Sequence, residues 1–234
     1  MRKKIALGSG FVLLFILGLG FFLLHQNTYQ PSSRAKEASQ SAESHKHYQL
    51  YTNSKDNDTA IIFYPGALVE PESYSLWAMD LAQGNVDVYV LDLPLNLAVI
   101  APNAADSVIE NTNYSQLILA GHSLGGVMAS RYAATHEHVN GMIFLASYPD
   151  EKGSLVENNI PVLSITATND HVLNLEAYNE NKQYLPTNTT YLKIEGGNHS
   201  GFGDYGHQKG DGEATIPSVE QRKQINDSIL KWLE

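Results

Sequence analysis

Apolar and polar positions divide the chain into three unlike stretches. Residues 5–24, IALGSGFVLLFILGLGFFLL, form an uncharged apolar run directly after Arg2, Lys3 and Lys4. As a helix rising about 1.5 Å per residue, that run is long enough to cross a hydrocarbon core of about 30 Å. Residues 25–47 are polar and without a usable period, so they read as a linker. From residue 48 onward short apolar runs alternate with longer amphipathic ones, which predicts βα units around a mostly parallel central sheet with helices on both faces. Strands are expected at 48–51, 60–64, 86–92, 116–120, 141–146, 161–167 and 190–195, and helices at 72–83, 104–112, 124–136, 173–184 and 218–233. Several strands are apolar throughout, as a strand covered on both faces requires. The segment 93–103, LPLNLAVIAPN, is too apolar for a solvated loop and is expected to form a wall of the site, with Leu95, Asn96 and Leu97 as substrate-binding candidates.

The rival reading of the first stretch is a cleaved signal peptide, whose apolar region is usually about 7 to 15 residues and ends near a small-residue site. This run is longer, and only Ser33 and Ala35 offer a weak, distant cleavage pattern. The expected organisation is therefore a cytoplasmic tip and single-pass anchor over 1–24, a linker over 25–47 and one α/β domain over 48–234. The basic tip then stays in the cytoplasm and the body lies outside the cell membrane.

Composition narrows the chemistry. With 43% hydrophobic and 17% charged residues the body suits an ordinary packed domain. The absence of Cys excludes disulfides, thiolate metal sites and a cysteine nucleophile, leaving oxygen and imidazole groups. Setting aside the three basic residues of the tip leaves 12 basic against 25 acidic side chains, a balance that repels phosphate backbones and argues against nucleic acid as a partner.

Residues 118–134, ILAGHSLGGVMASRYAA, run from a strand through GHSLG into a helix rich in small residues. That setting gives the GxSxG pattern its force, because a sharp strand-to-helix turn exposes the central serine above the sheet. Gly121 and Gly125 permit the close approach of strand and helix, Ser123 is the candidate nucleophile, and the Leu124 N–H at the helix start points where an oxyanion would form. His122 is expected to pack away from the pocket.

The chain resembles the α/β-hydrolase superfamily, and within it small lidless members of the dienelactone-hydrolase-like branch. The resemblance is carried by IIFYPGALVEPESY (61–74), LPLNLAVIAPN (93–103), GHSLGG (121–126), LASYPD (145–150), ATND (167–170) and EGGNHSGFGDYG (195–206). It departs at the nucleophile, which is Cys in dienelactone hydrolases and Ser123 here. The superfamily order of serine, acid and histidine implies His199 as the base, with His171 second, and Asp170 as the acid, with Asp150 as the alternative. It also implies a second oxyanion donor after the strand at 60–64. Pro65 has no N–H, so Gly66 is expected to permit the turn and Ala67 to donate.

The expected reaction is hydrolysis of an ester or similar acyl compound, small or associated with the cell envelope, through an acyl-Ser123 intermediate and without metal or cofactor. The same triad would also serve an acyltransferase, and the fold without turnover would serve a membrane-tethered binding protein. Residues 147–160 are too few for a helical lid, so an open site is expected. The Gly-rich loop 200–217 receives no role, since its acidic spacing matches no EF-hand.

Overall fold

In the computed structural model, which describes residues 24–54 and 56–234, eight strands form one sheet. They are β1 (Glu43–Ser44), β2 (Tyr48–Tyr51), β3 (Thr59–Tyr64), β4 (Val86–Leu91), β5 (Gln116–His122), β6 (Gly141–Leu145), β7 (Val162–Ala167) and β8 (Thr190–Ile194). Their order is β1-β2-β4-β3-β5-β6-β7-β8, with the β1–β2 and β2–β4 pairings antiparallel and the other five parallel. The helices are α1 (Ser33–Ala38), α2 (Ser75–Ala82), α3 (Asp106–Ile109), α4 (Leu124–Ala133), α5 (Leu175–Glu180) and α6 (Ser218–Leu233). Apart from Leu24, the expected anchor lies outside the described residues. Among the described residues no helix is long and apolar enough to cross a membrane.

The alternation within β3 explains the layers. Ile61 and Phe63 enter a core with Trp77 and Leu81 of α2 and Ile225 and Ile229 of α6. Ala60, Ile62 and Tyr64 enter a second core with Met128, Ala129 and Tyr132 of α4. Both faces of the strand are dry, so the run reads as unbroken apolar sequence. Each fully buried Ile or Phe contributes about 1.5–3 kcal/mol relative to exposure, and together such residues fix the sheet between the helix layers.

All seven expected strands form. β1 is an addition, and its two exposed residues carry no apolar pattern by which it could be read. The helix expected at 218–233 forms with those bounds, and the other four shorten. Pro71 opens a separate 3₁₀ turn before α2, the helix expected at 104–112 contracts to α3, and 3₁₀ geometry takes over after α5.

The polar stretch expected to be a linker is instead built into the domain. Tyr29 pairs with Val69, its N–H donating to Leu68 O at 2.7 Å and its carbonyl accepting from Glu70 N at 3.1 Å. Ser32 Oγ caps α1 by accepting the Ala35 N–H at 3.1 Å, Ala35 is fully buried, and Ser75 Oγ donates to its carbonyl. Backbone pairing and one small buried residue hold this segment, and neither leaves a hydrophobic period.

Ala35→Leu therefore forces a larger side chain into a filled space and is expected to cost about 1–3 kcal/mol. The readout is a lower urea midpoint at unchanged slope. An unmoved midpoint would mean that the segment does not pack.

Candidate active site

β5 runs straight into the turn that presents Ser123. That residue has φ 52 and ψ −126, and α4 starts at the next position. Such a backbone costs a non-glycine residue of order 1–3 kcal/mol and persists only where its surroundings dictate it. Here they do. The Ser123 N–H donates to Leu145 O at 3.0 Å, and its carbonyl accepts from Gly126 N at 3.1 Å and from Ser147 Oγ at 2.6 Å. A Cβ on Gly121 would lie 2.5 Å from the Gly125 carbonyl carbon, and one on Gly125 would lie 2.2 Å from Tyr64 O, so both glycines are required by contact. Ser123 is half-buried in a pocket of about 240 Å³ that it shares with Leu124, Val127, Tyr148, Leu173 and His199.

Asp170 sits just past β7 and His199 just past β8. Asp170 Oδ2 accepts from His199 Nδ1 at 2.8 Å, while its Oδ1 accepts the N–H groups of Val172 at 2.9 Å and Leu173 at 2.8 Å. Both side chains are shut off from solvent. His199 Nε2 is buried and makes no hydrogen bond, and its ring lines the Ser123 pocket. With Nδ1 committed to a carboxylate, Nε2 is the nitrogen left to exchange a proton with a neighbour.

The other candidates go elsewhere. Both Asp150 oxygens lie 3.1 Å from Arg131 Nε, and Asp150 Oδ1 also accepts from Gly153 N at 3.1 Å. The hydrogen-bonded guanidinium holds the Asp150 carboxyl below the usual carboxylate range. His171 is exposed and its N–H faces Asp211. Asp170 and His199 are the pair that the fold brings together.

The Leu124 amide stands at the N-terminus of α4, and Ala67 occupies the turn after β3. Among the described residues neither amide donates a hydrogen bond. The turn is made differently from expectation. Leu68, at φ 57, takes the left-handed position, and Gly66 does not. What requires Gly66 is proximity, since its N–H donates to the Tyr74 hydroxyl at 3.1 Å and a Cβ there would come within 2.9 Å of His122 Nδ1. The Tyr74 hydroxyl and His122 Nδ1 share a hydrogen bond at 2.9 Å, and the His122 ring lies 4.6 Å, centroid to centroid, from that of His199. Burial first, and then the nearby His199, hold the His122 imidazole well below its usual range, so it stays neutral. His122 packs as expected, but as a polar link between the oxyanion loop and the base.

Leu95, Asn96 and Leu97 do not line the Ser123 pocket. Leu95 and Asn96, both with positive φ, line a separate pocket of about 280 Å³ with Leu24, His25, Thr28 and Glu70. Two successive left-handed residues curl this segment onto the oxyanion loop, where Asn96 O accepts the Leu68 N–H at 2.8 Å. Its backbone meets the Leu68 turn, Leu93 and Ala98 are buried, and Leu95, Val99 and Ile100 are exposed.

Three positioning residues gave no sequence signal beyond their type. Ser147 holds the Ser123 carbonyl. Asp211, in the loop without an expected role, accepts the N–H of His199 at 3.2 Å through Oδ1 and that of Ser200 at 2.8 Å through Oδ2. Gln221 of α6, fully buried, accepts from Asn198 N at 3.1 Å and donates to Asn198 O at 2.8 Å. Among the described residues no cluster of three or more His, Asp or Glu is arranged to hold a metal.

Comparison with known proteins agrees with this fold. The chain is similar over its fold to a dienelactone hydrolase from Anabaena variabilis, at 19% identity and TM-score 0.61, covering 79% of this chain and 89% of the other. It is similar also to Est1E from Butyrivibrio proteoclasticus, at 13% identity and TM-score 0.59, covering 82% and 97%. A search of curated protein sequences finds no match. The sequence profile of the alpha/beta hydrolase family matches residues 60–223, from β3 through the first turns of α6, which includes the elbow, Asp170 and His199. A match of that extent, on a sheet of this strand order, makes the chain a member of the alpha/beta hydrolase family.

Proposed function

We propose that this hydrolase cleaves an ester or related acyl compound through an acyl-Ser123 intermediate. One observation carries the reading: a buried His199, tied to Asp170 through Nδ1 and with its Nε2 unpaired, lines the pocket that holds the strained Ser123. As Ser123 Oγ attacks the acyl carbon, Nε2 takes its proton and Asp170 stabilises the imidazolium. The amides of Leu124 and Ala67 receive the oxyanion. His199 then protonates the departing group, and water, activated by the same imidazole, releases the acid. Pockets of this kind admit small or extended acyl groups, and Val127, Tyr148 and Leu173 give this one an apolar lining.

The retained N-terminal anchor belongs to the same reading. Its support is the position of the weak cleavage pattern. Ser33 and Ala35 lie inside α1 with Ala35 fully buried, and cutting there would remove Tyr29 from its pairing with Val69.

Ser123→Ala is expected to abolish fluorophosphonate labelling and to lower kcat by about three orders of magnitude or more, with the melting temperature preserved. Labelling that survives would remove Ser123 from the mechanism.

Asp170→Asn offers His199 Nδ1 the wrong partner, and losses on the order of 10² to 10⁴ in kcat are expected. Asp150→Asn should cost less than about tenfold in kcat, its effect falling on stability through Arg131. The opposite ranking on folded variants would assign the acid to Asp150.

Tyr74→Phe leaves the Gly66 N–H buried and unpaired and loosens the loop that carries Ala67. The expected result is a fall of about tenfold in kcat with KM little changed. A lower melting temperature with kcat intact would make the hydroxyl a packing element alone.

A further inference from the structure

Two segments converge on Leu68, the residue after the proposed oxyanion donor Ala67. One is the N-terminal segment, whose Tyr29 N–H donates to Leu68 O at 2.7 Å. It leads back to Leu24, the last residue of the apolar run. The other is the 93–100 segment, whose Asn96 O takes the Leu68 N–H at 2.8 Å. Leu24 and Leu95 line one pocket. The end of the apolar run, the 93–100 segment and the oxyanion loop are therefore neighbours.

Leu93 and Ala98 of the second segment are buried, but three of its large apolar side chains are open to solvent. Leu95, Val99 and Ile100 are 43%, 46% and 52% exposed, and they are three of the eight large apolar side chains exposed among the described residues. Exposed apolar residues scattered singly need no explanation, whereas three within six positions form a patch. Its distance from the apolar run is bounded by the chain. Even fully extended, the residues from Leu24 to Tyr29 reach no more than about 18 Å. The headgroup layer of a bilayer is roughly 5–8 Å deep on each side. A run that spans the bilayer thus sets this patch, with the Leu68 turn beside it, at the lipid surface.

We propose that the face carrying Leu95, Val99 and Ile100 rests on the bilayer, and that the substrate is a membrane-borne acyl lipid presented to Ser123 from that surface. The proposal rests on the acyl-Ser123 reading and on the retained anchor. Ser123 Oγ forms a bond to the lipid's acyl carbon as the ester C–O bond breaks. His199 passes the serine proton to the departing alcohol, and water then releases the fatty acid. Apolar contact and the tether supply the attraction. The acidic body, with Glu70 and Asp92 beside the patch, favours zwitterionic over anionic lipid.

The test uses the full-length chain in phosphatidylcholine vesicles. Leu95→Trp and Ile100→Trp should each show emission that phosphatidylcholine brominated in its acyl chains quenches more than it quenches the unaltered protein, which holds Trp77 and Trp232. In a second arm, Val99→Ser combined with Ile100→Ser should lower the rate on a vesicle-borne long-chain ester by about tenfold or more. The rate on a water-soluble short-chain ester should be unchanged. Quenching no greater than in the unaltered protein, or equal loss on both esters, overturns the docking face. Turnover of the soluble ester without turnover of the vesicle-borne one by the unaltered chain overturns the substrate class. Quenching does not depend on chemistry, so a failure of Ser123 labelling with quenching intact strikes the acyl-enzyme reading and leaves the docking face standing.

Discussion

The left-handed backbone at Ser123 is an unfavourable state that the molecule maintains, and most of its central architecture can be read as the means of maintaining it. The strain is of order 1–3 kcal/mol. Against it stand the hydrogen bonds with Leu145, Gly126 and Ser147 and the contacts of α4 with β5 and with the end of β3, which glycine at 121 and 125 permits. These partners come from β6, from α4 and from the turn after β6. β5, β6 and α4 must therefore be in place before the serine is held. Burial of Ile61, Phe63 and their neighbours on both faces supplies the rigidity that a single turn could not.

A second constraint is electrical. Beside the catalytic pair the fold buries another imidazole, His122, entirely. Were it charged, it would oppose the imidazolium that the proposed mechanism forms on His199, at a ring separation of 4.6 Å. Burial keeps it neutral, and the Tyr74 hydroxyl satisfies its Nδ1. Because the same hydroxyl also accepts from Gly66, the position of the oxyanion loop and the face offered to His199 are set by one shared group.

The sequence made some of this legible and hid the rest for identifiable reasons. Parallel strands buried on both faces spell unbroken apolar runs, and the elbow spells its glycines, so β2 through β8 and Ser123 could be placed. The choice between Asp150 and Asp170 could not be closed by chain order. In the fold it is decided by Arg131, which occupies Asp150, and by the Val172 and Leu173 amides, which orient Asp170. Residues 25–47 looked like a linker because pairing through backbone atoms is indifferent to side-chain type. Leu95–Leu97 were recognised as too apolar for solvent, but composition does not say which way a segment faces. The positive φ at Leu95 and Asn96 turned their side chains away from Ser123.

Tethering an enzyme and shaping its site are usually separable tasks, performed by a linker and by a domain. Here the described segment after Leu24 contributes backbone hydrogen bonds on both sides of Val69, two residues from the proposed oxyanion donor. Freed of Tyr29, the Leu68–Glu70 backbone would lose one acceptor and one donor partner, and the turn that aims Ala67 would keep only Asn96, Gly66 and Tyr74 as restraints. A donor that must sit within a few tenths of an ångström of a developing oxyanion tolerates little such loosening. In the proposed mechanism catalysis is thus coupled mechanically to the segment that leads out of the apolar run, and a displacement applied there acts first on the Leu68–Glu70 backbone beside Ala67.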